Sequence, residues 1–443
     1  MVTTEQPAVN LNRSQLREMW SELSTEEQVN SFKKLSALDA AMFFADLETH
    51  DQARIILALP IHERRLWLRS LDPDDAADVI QKTKEEERQA LLDMLDPSTR
   101  TEVFALLAYA EDEAGGVMNS RYVQVRPDMS VGEAIIYFRK QARTQEETIY
   151  YIYVLDNEQR LVGTISMREL LLAAPEQQVH DVMRTQLITI SENLDQEEIG
   201  NLLSGNSLLA LPVVDKDGHM KGVVTVHDVV DVVQEEATED IQKMGGSESL
   251  DAPYLQITVP QMVKKRVGWL TVLFIGEMLT ANTMQFYESE IAKAVVLALF
   301  LPLIISSGGN AGSQASTLVI RAMALGEVRV RDCLRVIKRE FIIGIALGSI
   351  LAVIALVRVI LWPFASAVYG KYFITIGIAV AVSVAGVVLW GALIGSFLPF
   401  VLKKVGWDPA SASAPFVATI VDVTGLIIYF TVASFLLRGG GEG

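Results

Sequence analysis

Five long apolar segments follow Lys265 in this chain of 443 residues, and they limit the folds that it can adopt. Each segment reaches the roughly 20 residues that a helix needs to cross about 30 Å of hydrocarbon. One such segment could instead be a buried core helix, but five in succession predict an α-helical membrane protein with five transmembrane helices per subunit. We place the segments at Val267–Tyr287, Ile291–Met323, Val336–Phe364, Phe373–Leu402 and Ala412–Leu437.

The charges divide the chain at the same place. From Arg266 onward there are 13 basic and 9 acidic residues, a net charge of +4, which leaves 25 basic and 46 acidic residues before it, a net charge of −21. This division argues against a wholly soluble protein. An acidic soluble half would repel nucleic acid, and the single cysteine, Cys333, allows no internal disulfide.

Basic residues near the ends of the segments predict their orientation. Lys264, Lys265 and Arg266 precede the first segment, and Lys403 and Lys404 lie between the fourth and the fifth. Five more basic residues lie between the second and third segments or at the start of the third: Arg329, Arg331, Arg335, Lys338 and Arg339. We therefore expect a multi-pass protein with a cytoplasmic N-terminus and a C-terminus outside. The first twenty residues lack the basic and apolar pattern of a signal peptide.

The second segment contains an unusual polar stretch, SSGGNAGSQ, at residues 306–314. Three glycines and two amides, Asn310 and Gln314, are expected to break or distort a helix at this depth. Broken backbone is tolerated in a membrane only against protein or a wet cavity. The alternative is a tight helix crossing in which small residues allow close approach.

The fifth segment carries one carboxylate, Asp422, inside an apolar run. An acidic group in lipid is expected to be neutral, paired or bound to a cation. We favour a cation site, and a structural hydrogen bond stays open as the alternative. Glu277 in the first segment and Glu340 in the third are weaker candidates for the same role.

A repeat marks the N-terminal region as helical. LDPDDAADVI begins at Leu71 and LDPSTRTEVF begins at Leu95. In each copy we expect the Asp to cap a helix and the Pro to occupy its first turn. The pattern predicts a small α-helical repeat domain, which is a binding or scaffold element rather than an enzyme.

A second repeat follows, in which apolar strands end at Asp156 and Asp215. A glycine, a hydroxyl residue and an acid follow at matching positions in both copies, so two β-α-β-type modules are paired. They resemble a tandem CBS (α/β) pair over roughly Val117 to Val233. Such a pair either binds an adenosine nucleotide or is an empty structural module. His219 and His227 lack cysteine partners and are expected to face solvent rather than hold a metal.

Acidic residues are frequent in three parts of the N-terminal half. Such runs are usually solvated helix faces, but hard divalent cations with oxygen ligands would also relieve their repulsion. The candidate cation-sensing carboxylates are Asp74, Asp78, Asp195, Glu197, Asp231, Glu236, Glu239 and Asp240.

The order of these parts resembles the MgtE family of bacterial magnesium channels and transporters. The specific marks are EDEAGG at 111–116, EEATEDI at 235–241, PLIISSGGNAGSQ at 302–314 and DPASASAPFVATIVDVTG at 408–425. The resemblance implies a homodimer in the bacterial plasma (inner) membrane. We expect an acidic helical N domain at 1–112, CBS domains at 113–180 and 181–234, an amphipathic linker helix at 235–265 and a pore domain at 266–443.

The resemblance also implies roles for individual residues. Asp422 of both subunits would face one pore and bind Mg²⁺, with Asn310 nearby and Asp408 at the cytosolic mouth. Cytosolic Mg²⁺ would bridge Asp74 and Asp78 to Asp195 and Glu197, and it would bind Asp231, Glu236, Glu239 and Asp240 near the linker helix. ATP would regulate the protein through the CBS pair, with contacts at Tyr151, Arg168, Glu169, Thr225 and Asp228.

The function expected from this resemblance is a Mg²⁺-selective channel or transporter that imports Mg²⁺ down its electrochemical gradient and is closed by cytosolic Mg²⁺. Mn²⁺, Co²⁺ and Ni²⁺ stay open as further ions. One alternative is a secondary divalent-cation transporter coupled to H⁺ or Na⁺ through Asp422 or Glu277. Another is a membrane-tethered nucleotide sensor, while an enzyme or a nucleic-acid partner is not expected.

Overall fold

The chain divides after Val233 into two units, Met1–Val233 and Gln234–Gly443. The computed structural model describes residues 12–20, 23–141, 149–250, 252–288, 295–362 and 373–439. The ends predicted at Ile291 and Phe364 for two of the apolar segments lie outside these residues.

The N-terminal unit begins with short helices joined by tight turns. Asp72 and Asp96 are the N-cap residues of α6 and α8, and Pro73 and Pro97 occupy the first helical positions, which confirms the predicted repeat. The Asp96 carboxylate accepts a hydrogen bond from the Thr99 N–H at 3.2 Å. The helices are α1 (Arg13–Met19), α2 (Thr25–Phe32), α3 (Ala37–Ala45), α4 (Thr49–Ala58), α5 (Ile61–Arg69), α6 (Pro73–Gln81), α7 (Glu85–Leu92) and α8 (Pro97–Leu106).

Two similar α/β modules complete this unit, as the second repeat predicts. Each has a three-stranded sheet in which the first strand pairs parallel and the third pairs antiparallel with the middle strand. The sheets consist of β1 (Gln124–Val125), β2 (Tyr151–Leu155) and β3 (Leu161–Ser166), then β4 (Ile190–Ser191), β5 (Ala210–Val214) and β6 (Met220–Thr225). The helices are α9 (Ala114–Val117), α10 (Val131–Gln141), α11 (Met167–Leu172), α12 (Val179–Val182), α13 (Gln196–Asn206) and α14 (Val226–Met244).

The EAGG segment joins the helical repeat to the second α/β module. The Gly115 N–H donates to the Glu192 carbonyl at 2.8 Å, and the Tyr109 hydroxyl donates to the Glu192 carboxylate at 2.8 Å. A Cβ added to Gly115 would collide with the Tyr109 ring, and one added to Gly116 would collide with a backbone carbonyl. The two glycines therefore allow a close approach that larger residues would prevent.

The connection into the membrane-spanning unit differs from the predicted linker helix at 235–265. Helix α14 ends at Met244, and Gly246 has a φ of +76°. A glycine in the left-handed region just after a helix is a common helix terminator. The next helix begins only at Val259, with Pro260 in its first turn.

The described residues contain five helices that are long and apolar enough to cross a membrane, which confirms the predicted fold class. We call them the first to fifth spans, and a 3₁₀ turn, Val295–Phe300, leads into the second. Their bounds are Val259–Phe286, Leu301–Ala324, Cys333–Ile360, Phe373–Lys404 and Ala414–Gly439.

The predicted break in the second span is wrong, because this helix is continuous through the polar stretch. The glycines instead allow the second span to cross the fourth span closely, which was the alternative interpretation of the polar stretch. A Cβ on Gly391 of the fourth span would collide with the Gly308 carbonyl oxygen, and a Cβ on Gly395 would collide with the Gly312 carbonyl oxygen. The two backbones therefore touch, and the helical hydrogen bonds stay intact.

Candidate cation site in the spans and carboxylates near α14

Asp422 lies in the first half of the fifth span, Ala414–Gly439, and is partly buried. The carboxyl group of Glu277 on the first span lies beside that of Asp422, close enough for the two groups to interact. On the other side, a Cβ added to Gly309 of the second span would lie 3.8 Å from Asp422 Oδ1. The Asp422 carboxylate therefore lies alongside the backbone of the second span at Gly309, which has no side chain and directly precedes Asn310.

The crossing of the first and fifth spans places Glu277 beside Asp422. At Gly276, an added Cβ would collide with the Thr419 methyl group, so the two helices approach closely there. At one end of the contact between the first and fifth spans, Trp269 Nε1 donates a hydrogen bond of 3.1 Å to Ser413 Oγ. Sequence reasoning treated Glu277 as a weak candidate, because the pairing of two residues so far apart in the chain leaves no local pattern.

The second span carries a polar stripe on its exposed face. Ser306, Asn310 and Gln314 follow one another at intervals of four residues and are all exposed in the single chain. The Asn310 side-chain amide donates to Ser306 Oγ at 3.4 Å. Polar groups on a span are stable only against water or protein, so this face is suited to a wet path or to another copy of the chain.

Asp408 lies in the connection between the fourth and fifth spans and contacts the end of α14. Its Oδ1 accepts the Ala410 N–H at 2.8 Å, and its Oδ2 accepts a hydrogen bond of 2.6 Å from Lys243 Nζ. Lys243 also forms an ion pair with Glu239, one helical turn earlier. The structure thus brings Asp408 and Glu239 together through a lysine that sequence reasoning did not select.

The neighbouring carboxylates of α14 have different surroundings. Burial, and then the charge of Asp408, raise the pKa of Asp240 to about 6. Glu236 is partly exposed on the same helix. The side chain of Asp231 lies outside what the structure describes.

The remaining candidate cation ligands lie on two elements of the N-terminal unit. Asp74 and Asp78 are one turn apart on α6, where Asp74 is only 7% exposed. Asp195 precedes α13 and accepts the Glu197 N–H at 2.8 Å. The predicted bridge between these two pairs stays a prediction.

The acids expected to bind nucleotide both lie in the first turn of a helix and accept hydrogen bonds from the residue that precedes it. Glu169 Oε2 accepts hydrogen bonds from the Ser166 N–H and hydroxyl at 2.9 and 2.8 Å, and Arg184 Nε donates to its Oε1 at 2.6 Å. Burial opposes ionisation, yet these hydrogen bonds keep the pKa of Glu169 below its usual value. In the second module, Asp228 accepts the Thr225 N–H at 2.7 Å in the same way.

The other two residues expected at the nucleotide are more accessible. Tyr151 begins β2 and is partly buried, and Arg168 is exposed at the start of α11. Arg184 is an additional cation in this region that sequence reasoning missed. The Ser-x-x-Glu spacing of a capping box could have indicated the capping role of Glu169.

A loop in the second module gathers Asp215, Asp217 and His219, with possible ligand atoms within 4.8 Å of one another. Asp215 accepts the backbone N–H groups of Asp217 and His219 at 2.9 Å each and pairs with Lys221 at 3.1 Å. These contacts are those of a tight turn around Gly218. His219 is therefore partly buried against Asp215, whereas His227 is exposed as expected.

Comparison with known proteins gives matches along most of the chain. A family model described as "Divalent cation transporter" matches residues 301–432, one for the "MgtE intracellular N domain" matches 11–112, and one for the CBS domain matches 114–176 and 179–235.

Two curated relatives and one solved structure are similar to the chain. The magnesium transporter MgtE of Thermus thermophilus is 40% identical over 77% of this chain and 73% of its own length. That of Enterococcus faecalis is 32% identical over 76% of this chain and 72% of its own. A crystal structure of the cytosolic domain of the Mg²⁺ channel MgtE in complex with ATP is 40% identical, covers 50% of this chain and 90% of its own, and has a TM-score of 0.47.

Proposed function

Since the chain belongs to the MgtE family of divalent cation transporters, we propose that it is a Mg²⁺-selective channel that imports Mg²⁺ down its electrochemical gradient and is closed by cytosolic Mg²⁺. The protein is a magnesium transporter of this family and not an enzyme. The position of Asp422, beside a second span with a polar exposed face, is the observation that carries the proposal.

The proposed pore forms between two copies of the chain in the bacterial plasma (inner) membrane. Pairing of two second spans would cover the stripe of Ser306, Asn310 and Gln314, which a single chain leaves exposed to lipid. Each copy would contribute one Asp422 carboxylate and one Asn310 amide to the path. Mg²⁺ releases water reluctantly, so two facing carboxylates can hold a hydrated ion without stripping it.

The proposed closure by Mg²⁺ uses the carboxylates on the cytosolic side, with the N-terminus inside and the C-terminus outside. Glu239 and Asp240 lie close to Asp408 at the start of the fifth span, where like charges repel. Mg²⁺ bound among Asp231, Glu236, Glu239 and Asp240 would reduce this repulsion. Asp74, Asp78, Asp195 and Glu197 would bind it in the N-terminal unit.

We further propose that ATP modulates closure through the first α/β module. Exposed Arg168 offers a cation for phosphate, and Tyr151, at the start of β2, offers a ring. Because Glu169 already accepts hydrogen bonds from Ser166 and pairs with Arg184, its contact with a ribose would use the remaining capacity of its oxygens. Thr225 and Asp228 form the equivalent pair in the second module.

The test of the pore is Mg²⁺ uptake into liposomes that contain a Mg²⁺-sensitive dye. Asp422→Ala is expected to abolish uptake, while Glu327→Gln, which removes an exposed carboxylate after the second span, should leave it unchanged. Normal influx through Asp422→Ala would overturn the proposal. Competition by Mn²⁺, Co²⁺ or Ni²⁺ in the same assay measures the selectivity.

A second candidate function is a secondary transporter coupled to H⁺ or Na⁺. It is favoured by the closeness of the Glu277 and Asp422 carboxyl groups, since two acids side by side in a membrane are suited to carry a proton or a second cation. A shift of the reversal potential with an imposed proton or sodium gradient would select this function. A potential set by Mg²⁺ alone would select the channel.

A further inference from the structure

Lys243 lies where three acidic side chains converge at the end of α14. Its ammonium group donates to Asp408 at 2.6 Å and pairs with Glu239. Asp240 lies in the same electrostatic environment, since the charges of Asp408, Lys243, Glu239 and Arg321 all act on it. The two basic side chains therefore face three carboxylates, and Lys243 directly bridges two of them.

The ion pair between Lys243 and Asp408 is partly buried, so water screens it less than a fully exposed pair. The Lys243 side chain is 28% exposed and that of Asp408 is 35% exposed. Burial lowers the pKa of Lys243, but its hydrogen bonds to Asp408 and Glu239 outweigh this effect and raise it. The ammonium group thus stays charged at any physiological pH.

Apolar and backbone contacts hold the same end of α14 against the spans. Met244 packs on the cluster of Ile320, Ala410 and Ala412. Just beyond the helix, a Cβ added to Gly246 would lie 2.9 Å from the Trp269 ring. The bridge from Lys243 to Asp408 therefore closes over a packed surface and not across open solvent.

We propose that Lys243 is a built-in cation that ties the end of α14 to Asp408 and so sets the Mg²⁺ concentration at which transport stops. The inference rests on the proposed closure by cytosolic Mg²⁺. Both oxygens of Asp408 already have partners, Ala410 and Lys243, so Asp408 acts here as an anchor for α14. Lys243 performs at Asp408 the neutralisation that a divalent ion performs among the other carboxylates.

The test measures Mg²⁺ uptake by the full-length protein in liposomes while the Mg²⁺ concentration on the cytosolic side is varied. Lys243→Met should transport like wild type at low cytosolic Mg²⁺, which also shows that it folds. It should need about fivefold more Mg²⁺ to stop, since a well-formed, partly exposed ion pair shifts an equilibrium by about that factor. Lys243→Arg keeps the charge and should stop at the wild-type concentration.

A double-mutant cycle tests whether Lys243 acts through Asp408. Because Lys243 also pairs with Glu239, adding Lys243→Met to Asp408→Asn should raise the closing concentration by less than Lys243→Met raises it in wild type, and the exchange of Lys243→Asp with Asp408→Lys should restore closure. A Lys243→Met protein that stops at the wild-type concentration or below it would overturn the inference. If wild type itself is not stopped by cytosolic Mg²⁺, the proposed closure fails instead.

Discussion

The carboxyl groups of Glu277 and Asp422 lie beside each other where the first and fifth spans cross. Two carboxyl groups so close together are costly in a membrane unless they are neutralised or bound to a cation. A cation that enters this site therefore meets two acids and not one. Glu277 therefore influences how Asp422 presents its oxygens.

Substitutions at Glu277 should separate hydrogen bonding from charge. Glu277→Gln retains a donor for Asp422 and is expected to keep uptake close to wild type. Glu277→Leu leaves the Asp422 carboxyl without this polar neighbour and should lower uptake by about tenfold, the effect of losing one polar contact to a charged group. The measurement is liposome uptake at several Mg²⁺ concentrations, and Met278→Leu, on an exposed face, is the control. Equal uptake by the Gln and Leu variants would contradict the prediction.

The crossing of the second and fourth spans should be sensitive to a single methyl group. Gly391→Ala and Gly395→Ala place a methyl against a backbone carbonyl and are expected to destabilise the protein by about 1–3 kcal/mol. Gly386→Ala is the matched control on the same span, since its added Cβ would lie 3.5 Å from Ile428, an ordinary contact. Thermal stability in detergent measures the difference. Equal melting temperatures for Gly391→Ala and Gly386→Ala would refute the close crossing.

Disulfide cross-linking tests the proposed pairing of two second spans. In a Cys333→Ser background, Asn310→Cys should form a covalent dimer on mild oxidation in membranes, because the polar stripes of two copies would face each other. Ile342→Cys on the third span is 68% exposed in the single chain and is expected to face lipid and remain monomeric. Cross-linking at residue 342 without cross-linking at residue 310 would place the interface elsewhere.

Two neighbouring residues should affect nucleotide binding in different ways. Arg168→Ala removes an exposed cation and should weaken ATP binding by about tenfold without loss of stability, because a charge-assisted contact is lost. Glu169→Ala removes the N3 side chain of the capping box of α11, while the N-cap Ser166 remains, and should cost about 1 kcal/mol of stability. Titration with ATP and hydrogen exchange of α11 distinguish the two effects. Unchanged ATP affinity in Arg168→Ala would exclude Arg168 as a contact, and no binding by wild type would indicate an empty module.

The cap of α8 should give a pH-dependent stability. Hydrogen bonds from the Ser98 hydroxyl and the Thr99 N–H lower the pKa of Asp96 to about 2. Because the folded pKa lies below the unfolded value of about 3.9, the added stability is present above pH 4 and is lost as the pH falls towards 2. Asp96→Asn keeps a capping side chain without the charge. Hydrogen exchange of α8 should be slower in wild type than in Asp96→Asn at pH 7 and equal in both near pH 2.

Local patterns in the sequence were sufficient to predict the helices, strands and spans, but not which of them contact one another. The Asp-Pro repeat, the paired α/β modules and the five spans follow from periodicity and turn residues, which depend on near neighbours. The prediction of a break in the second span was wrong because its glycines pack against the fourth span. Nothing in the local sequence indicates that Gly391 and Gly395 are the residues they contact. The bridge from Lys243 to Asp408 joins residues 165 positions apart, so no local pattern could reveal it.

In the linker between α14 and the first span, by contrast, the local sequence does contain a signal for the end of a helix. Gly245 and Gly246 follow α14 directly, and Pro253 and Pro260 lie beyond them. These residues favour the end of one helix and the start of another. The acidic run before the glycines has helical spacing, and the predicted helix at 235–265 continued this spacing past Met244, where α14 ends.

The contact of Gly391 with the Gly308 carbonyl oxygen restricts how this protein can evolve. A side chain that obstructs another side chain can be accommodated when its neighbour becomes smaller, but no substitution at residue 308 removes a backbone oxygen. A new side chain at residue 391 therefore has no compensating partner on the second span. Variation that alters ion selectivity is expected instead on the exposed face of that helix, where side chains can change without moving a backbone.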